Sequence, residues 1–178
     1  MANKKKHFNY LNITSQKNLI EGVVLRKLIV HQDITGRLVE TLRTDWNDIF
    51  NSQKAPFAMQ YLSITPPGIA RDENSWHVHK HQKDRFICIL GRIVTALYDS
   101  RRNSQTFGKL NLFLQGPQKD NEMYIIQIPE EVNHSFMVIS KAAGYLLNFP
   151  TKLYSGEDEG RVANSQFKWQ DVRNDFGL

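Results

Sequence analysis

The chain has 178 residues, 40% of them hydrophobic, which suits one domain with a sizeable core and is short for two. A single cysteine, Cys88, excludes an internal disulfide, and no apolar run is long enough to cross a bilayer. The net charge of +5 is scattered except at Lys4–Lys6, which favours a small anionic ligand over a nucleic acid or a membrane as partner. Because the N-terminus does not resemble a signal peptide, we expect a cytoplasmic protein.

Short runs of alternating or β-branched residues recur along the chain and are separated by turns. Residues 1–20 have no steady period and are predicted to form a tail or arm. The strands predicted after this tail are Val23–Val30, a hairpin through Gly36 within Asp33–Arg43, Phe57–Thr65, Phe86–Leu90, Arg92–Tyr98, Leu110–Leu114, Met123–Pro129, Phe136–Ile139 and Tyr145–Phe149. Many short strands with frequent turns predict an all-β sandwich or small barrel over residues 21–155. Residues 156–178 are predicted to pack on this barrel as a C-terminal segment with a short helix or lid.

The stretch from Gly68 to Gly91 contains three histidines, two of them in the motif His77-Val78-His79. Residues two apart on a strand point to the same face, so both imidazoles are expected to enter the barrel together. Together with Asp84 and Gly91 the spacing resembles the first motif of the cupin superfamily, and Pro129 to His134 resembles the second.

The cupin resemblance implies a jelly-roll β-barrel, a fold that holds a metal ion in many of its members. In metal-binding cupins the corresponding four side chains hold a divalent ion. Here they are His77, His79, Asp84 and His134, which suit iron, manganese, nickel or zinc. The alternative is that the same residues are hydrogen-bonded groups that line a ligand cavity without a metal.

A second resemblance covers the chain from about Gly22 to Gly160. The segment Asp99–Lys109, DSRRNSQTFGK, follows the pattern D-x-R-x-x-S-P-T-F-G with Gln105 for proline, and IPEEVNH follows I-P-x-G-x-x-H. Asp33 to Gly36 with Glu40 follows D-x-R-G…E. In these motifs the chain resembles the dTDP-4-dehydrorhamnose 3,5-epimerase family, dimeric cupin-fold barrels that act on nucleotide-linked 4-keto sugars. The resemblance implies a homodimer, a nucleotide-sugar substrate and no cofactor.

The chemistry implied by this resemblance is removal of a proton α to a ketone and its return on the other face of the carbon. The family's base corresponds to His77, its proton-donating tyrosine to the region of Tyr145, and its lysine near the carbonyl to Asp84. We therefore expect His77, Tyr145 and Asp84 to be catalytic. The residues expected to contact substrate are Arg71, Gln60, Trp76, His79, His134, Tyr154 and Arg101. Three of these residues have an alternative role. Trp76 could be a packing residue, Tyr154 could close the mouth of the barrel, and Arg101 could be a solvated side chain on the surface.

The sequence departs from the family pattern at several site positions. Asp84 replaces the lysine, Leu147 occupies the tyrosine position, and Asp72 and Glu131 stand where the family has glycines. In the absence of a metal, a carboxylate is expected to orient His77, with Asp84, Asp171 and Asp175 as candidates.

Three functions follow from the sequence. The first is an epimerase or isomerase of a nucleotide-linked 4-keto-6-deoxy sugar. The second is a metal-dependent cupin enzyme, either a dioxygenase or an isomerase, that uses the His/His/Asp/His set. The third is a non-catalytic nucleotide-sugar-binding cupin.

Overall fold

The structure, a computed structural model, describes residues 6–178, so Lys4 and Lys5 of the basic cluster lie outside the described part. Two β-sheets face each other. The first contains β1 (Tyr10–Leu11), β6 (Ala70–Arg71), β7 (Ser75–His79), β9 (Ile93–Asp99), β10 (Leu110–Gln115), β12 (Val132–Val138) and β14 (Glu159–Ala163). The second contains β2 (Val24–Lys27), β5 (Tyr61–Thr65), β8 (Asp84–Leu90), β11 (Tyr124–Ile128) and β13 (Gly144–Asn148). The predicted all-β cupin jelly roll is confirmed.

The strand order explains which residues meet. The first sheet runs β1-β10-β9-β12-β7-β14, with β6 also pairing with β12, and the second runs β2-β11-β8-β13-β5. A separate hairpin consists of β3 (Val30–Asp33) and β4 (Gly36–Val39), and one helix, α1 (Trp169–Phe176), follows β14. The order places β7 and β12, which carry the histidines, side by side.

The central core lies between the two sheets. Ile93, Leu97 and Phe113 from the first sheet pack with Phe86 and Ile126 from the second, and each is at most 5% exposed. Burying each such side chain contributes roughly 1.5–3 kcal/mol to folding. This core fills part of the space between the sheets, and the polar residues described below line the rest.

The outer face of the first sheet is also apolar, because the C-terminal segment covers it. Trp76 and Met137 contribute to a second cluster together with Phe167, Trp169 and Val172, the last two from α1. Because both faces of the first sheet are covered, its strands have continuous apolar runs in the sequence rather than alternating apolar and polar residues.

Two predicted boundaries differ from the structure. The predicted strands Met123–Pro129 and Phe136–Ile139 leave residues 130–135 outside, yet β12 begins at Val132 and therefore includes His134. The Gly- and acid-rich segment after Ser155 contains β14, which pairs with β7 and brings Arg161 opposite His77. Among residues 6–178, no helix is both long and apolar enough to span a membrane.

Candidate active site

A cavity of about 650 Å³ opens between the two sheets. His77, His134 and Asp84 line its inner part, and Tyr61 lines it from the opposite sheet. Arg71 and Arg161 are exposed and lie at its mouth. This size suits a small organic ligand, and the few polar groups that converge in it are those expected of a ligand site.

Three histidines lie close together because of strand geometry; His77 and His134 line the cavity, whereas His79, which was expected to contact substrate, is buried behind them and does not line it. His77 and His79 share the inner face of β7, and His134 on β12 is paired with His77. One nitrogen of each imidazole lies within 4.8 Å of the others, and the ring centroids of His77 and His79 are 4.8 Å apart. The imidazoles of His77 and His79 therefore point to the same face of β7, as their two-residue spacing predicts.

Asp84 lies beneath the histidines and is 2% exposed. Its Oδ2 lies 3.2 Å from Nε2 of His134 and 3.6 Å from Nε2 of His79, and its Oδ1 accepts hydrogen bonds from Gln82 (2.8 Å) and Asn148 (2.9 Å). Burial alone raises the pKa of this carboxyl, but the contacts to His134, His79 and Asn148 outweigh it and lower the pKa to about 2. Asp84 is therefore a buried anion.

His77 lies between two carboxylates. Its Nδ1 is 3.7 Å from Oδ2 of Asp72, and its Nε2 is 3.6 Å from Oε1 of Glu159. Arg161 binds both carboxylates, donating from Nε to Asp72 (3.0 Å) and from Nη1 to Glu159 (2.5 Å). The contact with His77 is the largest cause of the lowered pKa of Asp72. These four side chains form a charge cluster at the cavity mouth.

Asp72 and Glu131 have backbone φ angles of +59° and +61°, in the left-handed region that favours glycine. They are the two positions where the resembled family has glycine, so the backbone shape is kept while a side chain is added. A non-glycine residue in this region costs roughly 1 kcal/mol or more. The side chain of Asp72 contacts His77 despite this cost in backbone strain, which points to a functional reason for the carboxylate.

Tyr61 was not predicted, and it contributes a hydroxyl from the second sheet. Its oxygen accepts a hydrogen bond from Nδ2 of Asn148 at 2.8 Å, which leaves its own hydrogen available. Burial and the charge of Asp84 raise the pKa of Tyr61 to about 12. The phenol is thus protonated at neutral pH.

Comparison with known proteins identifies the family. The sequence model of a family described as dTDP-4-dehydrorhamnose 3,5-epimerase matches residues 17–173. The chain belongs to this epimerase family. It is similar to the probable low-salt glycan biosynthesis epimerase Agl13 of Haloferax volcanii, with 38% identity over 140 residues, 78% of this chain and 83% of that protein. It is also similar to the spore coat polysaccharide biosynthesis protein SpsL of Bacillus subtilis, with 30% identity over 146 residues, 81% of this chain and 89% of that protein.

A solved structure shares the fold of this chain. The crystal structure of a dTDP sugar isomerase from Desulfovibrio desulfuricans G20 matches with a TM-score of 0.74 and 24% identity, covering 85% of this chain and 92% of that one. The predicted membership in the epimerase family is confirmed, and the relatives favour an epimerase over a metal-dependent enzyme of another class.

Several residues that were expected at the site lie elsewhere. Trp76 was expected to contact substrate, but it is fully buried on the opposite face of β7, where it packs on Phe167. Tyr145 was expected to be catalytic, but β13 pairs it with the exposed residues Ile64 and Leu90, on the outer face of the second sheet. Arg101 was expected to bind substrate, but it is held by Asp99 through Nε (2.8 Å) and Nη2 (2.9 Å).

The remaining predicted residues also lie away from the cavity. Tyr154 is 71% exposed in the loop after β13, and Gln60 is exposed just before β5; neither lines the cavity. Asp175 accepts hydrogen bonds from His7 and Tyr10 on the outer face of the first sheet instead of orienting His77. Asp171 lies on the same helix, so Asp72 and Glu159 take the place of the predicted carboxylates.

The residues that sequence reasoning missed come from segments that it treated as loops. Asp72 follows β6, and Arg161 and Glu159 lie on β14. For Tyr61 a signal was present, since it lies on the predicted strand Phe57–Thr65, whose alternate residues share one face. For Arg161 the deciding fact is the pairing of β14 with β7, which local sequence does not reveal.

Proposed function

We propose that this family member is an epimerase of a dTDP-linked 4-keto-6-deoxy sugar, which removes a proton α to the ketone and returns one to the opposite face. The observation that carries the proposal is the position of His77 in the cavity, between two carboxylates and across from Tyr61. Family membership and the epimerase relatives support the substrate class. An inversion of this kind needs a base and an acid on opposite sides of the sugar ring.

His77 is the base in this proposal. A neutral imidazole with a carboxylate at one nitrogen keeps that N–H fixed and leaves the other nitrogen to accept the substrate's proton. Asp72 and Glu159 flank the ring at 3.7 and 3.6 Å, so a small adjustment on substrate binding brings either into hydrogen-bond range. General base catalysis of this kind contributes about 10²–10⁴-fold to the rate.

Tyr61 is the proton donor. His77 and Tyr61 belong to different sheets and line the same cavity, so a sugar ring between them presents one face to each. The hydroxyl hydrogen of Tyr61 is free because its oxygen accepts from Asn148. This role replaces the one predicted for Tyr145, which faces away from the cavity.

Arg71 binds the diphosphate of the nucleotide. Arg71 lines the cavity, and none of the salt bridges found within residues 6–178 involves it. An unpaired arginine beside a cavity is suited to an anionic ligand, because its planar group donates two parallel hydrogen bonds to phosphate oxygens. His134, which lines the inner part of the cavity, would then lie nearer the sugar than the nucleotide.

The proposal also includes a cytoplasmic homodimer. The outer face of the second sheet carries an exposed apolar row formed by Ile64, Tyr145 and Leu90, where Ile64 is 53% and Leu90 is 48% exposed. A second copy of the chain would cover such a row. One cysteine, Cys88, which is buried, suits a reducing compartment. Light scattering after size exclusion tests the dimer, and a monomer at micromolar concentration would contradict it.

The experiment that tests the function is deuterium exchange. The enzyme is incubated in D₂O with dTDP-4-keto-6-deoxyglucose, and proton NMR follows C3 and C5 of the sugar. We expect loss of one or both signals together with an inverted product. Tight binding without exchange, even at high enzyme concentration, would support the non-catalytic sugar-binding function instead.

A further inference from the structure

Asn148 joins the buried carboxylate of Asp84 to the hydroxyl of Tyr61. Its side chain is fully buried, and its Nδ2 donates to Oη of Tyr61 at 2.8 Å and to Oδ1 of Asp84 at 2.9 Å. Its Oδ1 accepts the backbone N–H of Arg85 at 2.8 Å. Both hydrogens of this amide are therefore used within the protein, and Asn148 itself does not line the cavity.

These contacts fix which way the amide of Asn148 points. A backbone N–H can only donate, so the atom that faces Arg85 is the amide oxygen. A carboxylate can only accept, so the atom that faces Asp84 is the amide nitrogen. The reversed amide would set donor against donor and acceptor against acceptor in a place without water, which is costly. The donation to Tyr61 is therefore imposed by the neighbours on the other sides of the amide.

Arg85 holds this arrangement in place. Its side chain is fully buried, and its guanidinium donates to the carbonyl oxygens of Ile49 (2.8 Å), Pro56 (3.1 Å) and Phe149 (3.0 Å). These hydrogen bonds tie β8 to the segment before β5 and to the residue after β13. Because buried networks of this kind rigidify their surroundings, the backbone N–H that Asn148 accepts has little freedom to move.

The hydroxyl hydrogen of Tyr61 is left free to point into the cavity. The oxygen of Tyr61 already accepts from Asn148, and the same amide nitrogen occupies the charged oxygen of Asp84 that would otherwise attract the phenol hydrogen. Since Tyr61 lines the cavity, its hydrogen is available to a ligand there.

The hydrogen bond from Asn148 also stabilises the phenolate that proton return leaves behind. In this step the O–H bond of Tyr61 breaks and its electron pair stays on the oxygen, while the C=C pair of the enolate forms the new C–H bond. The N–H of Asn148 then faces a negative oxygen, and such hydrogen bonds are the stronger ones. Burial and Asp84 raise the pKa of Tyr61, whereas the contact with Asn148 lowers it. Before the next turnover water returns a proton to the phenolate, and His77 releases one to water.

We propose that Asn148 is a positioning residue for proton return, which directs the hydroxyl hydrogen of Tyr61 into the cavity and keeps it from Asp84. The kinetic consequence rests on the proposed epimerase function, whereas the direction of the hydrogen stands on the protein's own contacts. Asn148 acts through Tyr61 and does not touch the substrate. Its substitution should therefore lower kcat for inversion and leave KM within about twofold of wild type.

Neutron diffraction from deuterium-exchanged crystals of the full chain tests the arrangement without any substrate. We expect the deuterium on Oη of Tyr61 to point into the cavity, and the two amide deuteriums of Asn148 to point at Tyr61 and Asp84. A Tyr61 deuterium directed at Asp84 or at Asn148 would overturn the proposal. Because no turnover is involved, this result does not depend on whether the chain is an epimerase.

Kinetic variants test the consequence for proton return. Asn148→Asp keeps the size of the side chain and the acceptor for Arg85 but loses both N–H groups, and Asn148→Ser is a second variant that introduces no charge. Each should lower the rate of inversion by about tenfold or more, while deuterium exchange into the sugar stays within about threefold of wild type. Circular dichroism verifies that each variant is folded.

Gln82→Ala is the matched control. Gln82 donates to the same Oδ1 of Asp84 at 2.8 Å but does not contact Tyr61, so this variant should keep the wild-type ratio of exchange to inversion. In a Tyr61→Phe background, Asn148→Ser should lower inversion no further, because the group through which Asn148 acts is absent.

The outcomes separate this role from the epimerase proposal. A wild-type ratio of exchange to inversion in both folded Asn148 variants, or an equal change of that ratio in Gln82→Ala, would contradict the role of Asn148. Absence of exchange and inversion in the wild type would contradict the epimerase proposal instead. The neutron structure then decides the direction of the Tyr61 hydrogen by itself.

Discussion

Oδ2 of Asp72 lies 3.7 Å from Nδ1 of His77, although Asp72 has a left-handed backbone with φ of +59°. The pair links a strained position to the imidazole proposed as the base. Strain that persists beside a cavity commonly marks a functional residue.

Removal of the Asp72 charge tests this link. Asp72→Asn keeps the size of the side chain and tolerates the left-handed conformation, so the unfolding free energy should change by less than about 1 kcal/mol. We expect kcat to fall by about tenfold or more, because an orienting carboxylate is lost. Glu131→Gln is the matched control, since Glu131 shares the positive φ but does not line the cavity. Equal kcat values in the two variants would contradict the role of Asp72.

Tyr61→Phe separates proton removal from proton return. With His77 intact, deuterium exchange should remain within about tenfold of wild type, whereas formation of the inverted product should fall by about 100-fold or more. Tyr145→Phe on the outer face should leave both rates unchanged. NMR measures exchange and inversion in one sample, and a Tyr61→Phe enzyme that still inverts its substrate would exclude Tyr61 as the donor.

Substitution of Trp76 should destabilise the protein much more than substitution of Tyr154. Trp76 is fully buried and donates from Nε1 to Gln166, so Trp76→Ala should lower the unfolding free energy by about 3–5 kcal/mol. Tyr154 is 71% exposed, and Tyr154→Ala should change the unfolding free energy by no more than about 0.5 kcal/mol. Urea denaturation gives both values. If Trp76→Ala lost little stability but had a raised KM, the substrate contact expected from the sequence would be supported instead of the packing role.

Asp175 predicts a pH-dependent contribution to stability. Burial raises the pKa of its carboxyl, but hydrogen bonds from His7, Tyr10 and Phe8 outweigh this and lower it to about 2. A lowered native pKa stabilises the folded state above the ordinary carboxyl pKa of about 4, and that stability is lost as the pH falls towards 2. Asp175→Asn should therefore be least stable relative to wild type above about pH 5, and the difference should shrink in acid.

The control for this prediction is the exposed residue Asp120, and Asp120→Asn should match wild type across the range. A difference between Asp175→Asn and wild type that grows as the pH falls would contradict the assignment.

The sequence was most informative where short-range geometry decides the outcome. The two-residue spacing of His77 and His79 was enough to place both on one face, and the same rule places Trp76 on the other. Tyr145 shows the limit of this rule. Its face depends on which neighbours β13 has, and a register irregularity between Tyr145 and Leu146 is invisible in a single sequence.

Long-range pairing supplied what the sequence could not. Arg161 is 84 residues from His77 (161 minus 77), and only the pairing of β14 with β7 brings them together. Asp72 stands where the family has a glycine, but its contact with His77 depends on the turn after β6. Neither contact has a local signature.

Deuterium exchange with His77→Asn tests the central claim most directly. The wild type, His77→Asn and His81→Asn are compared in D₂O with dTDP-4-keto-6-deoxyglucose, and NMR follows C3 and C5. We predict exchange by wild type and His81→Asn at equal rates, and exchange slower by about 100-fold or more in His77→Asn. Exchange by a folded His77→Asn at the wild-type rate would contradict the assignment of His77 as the base.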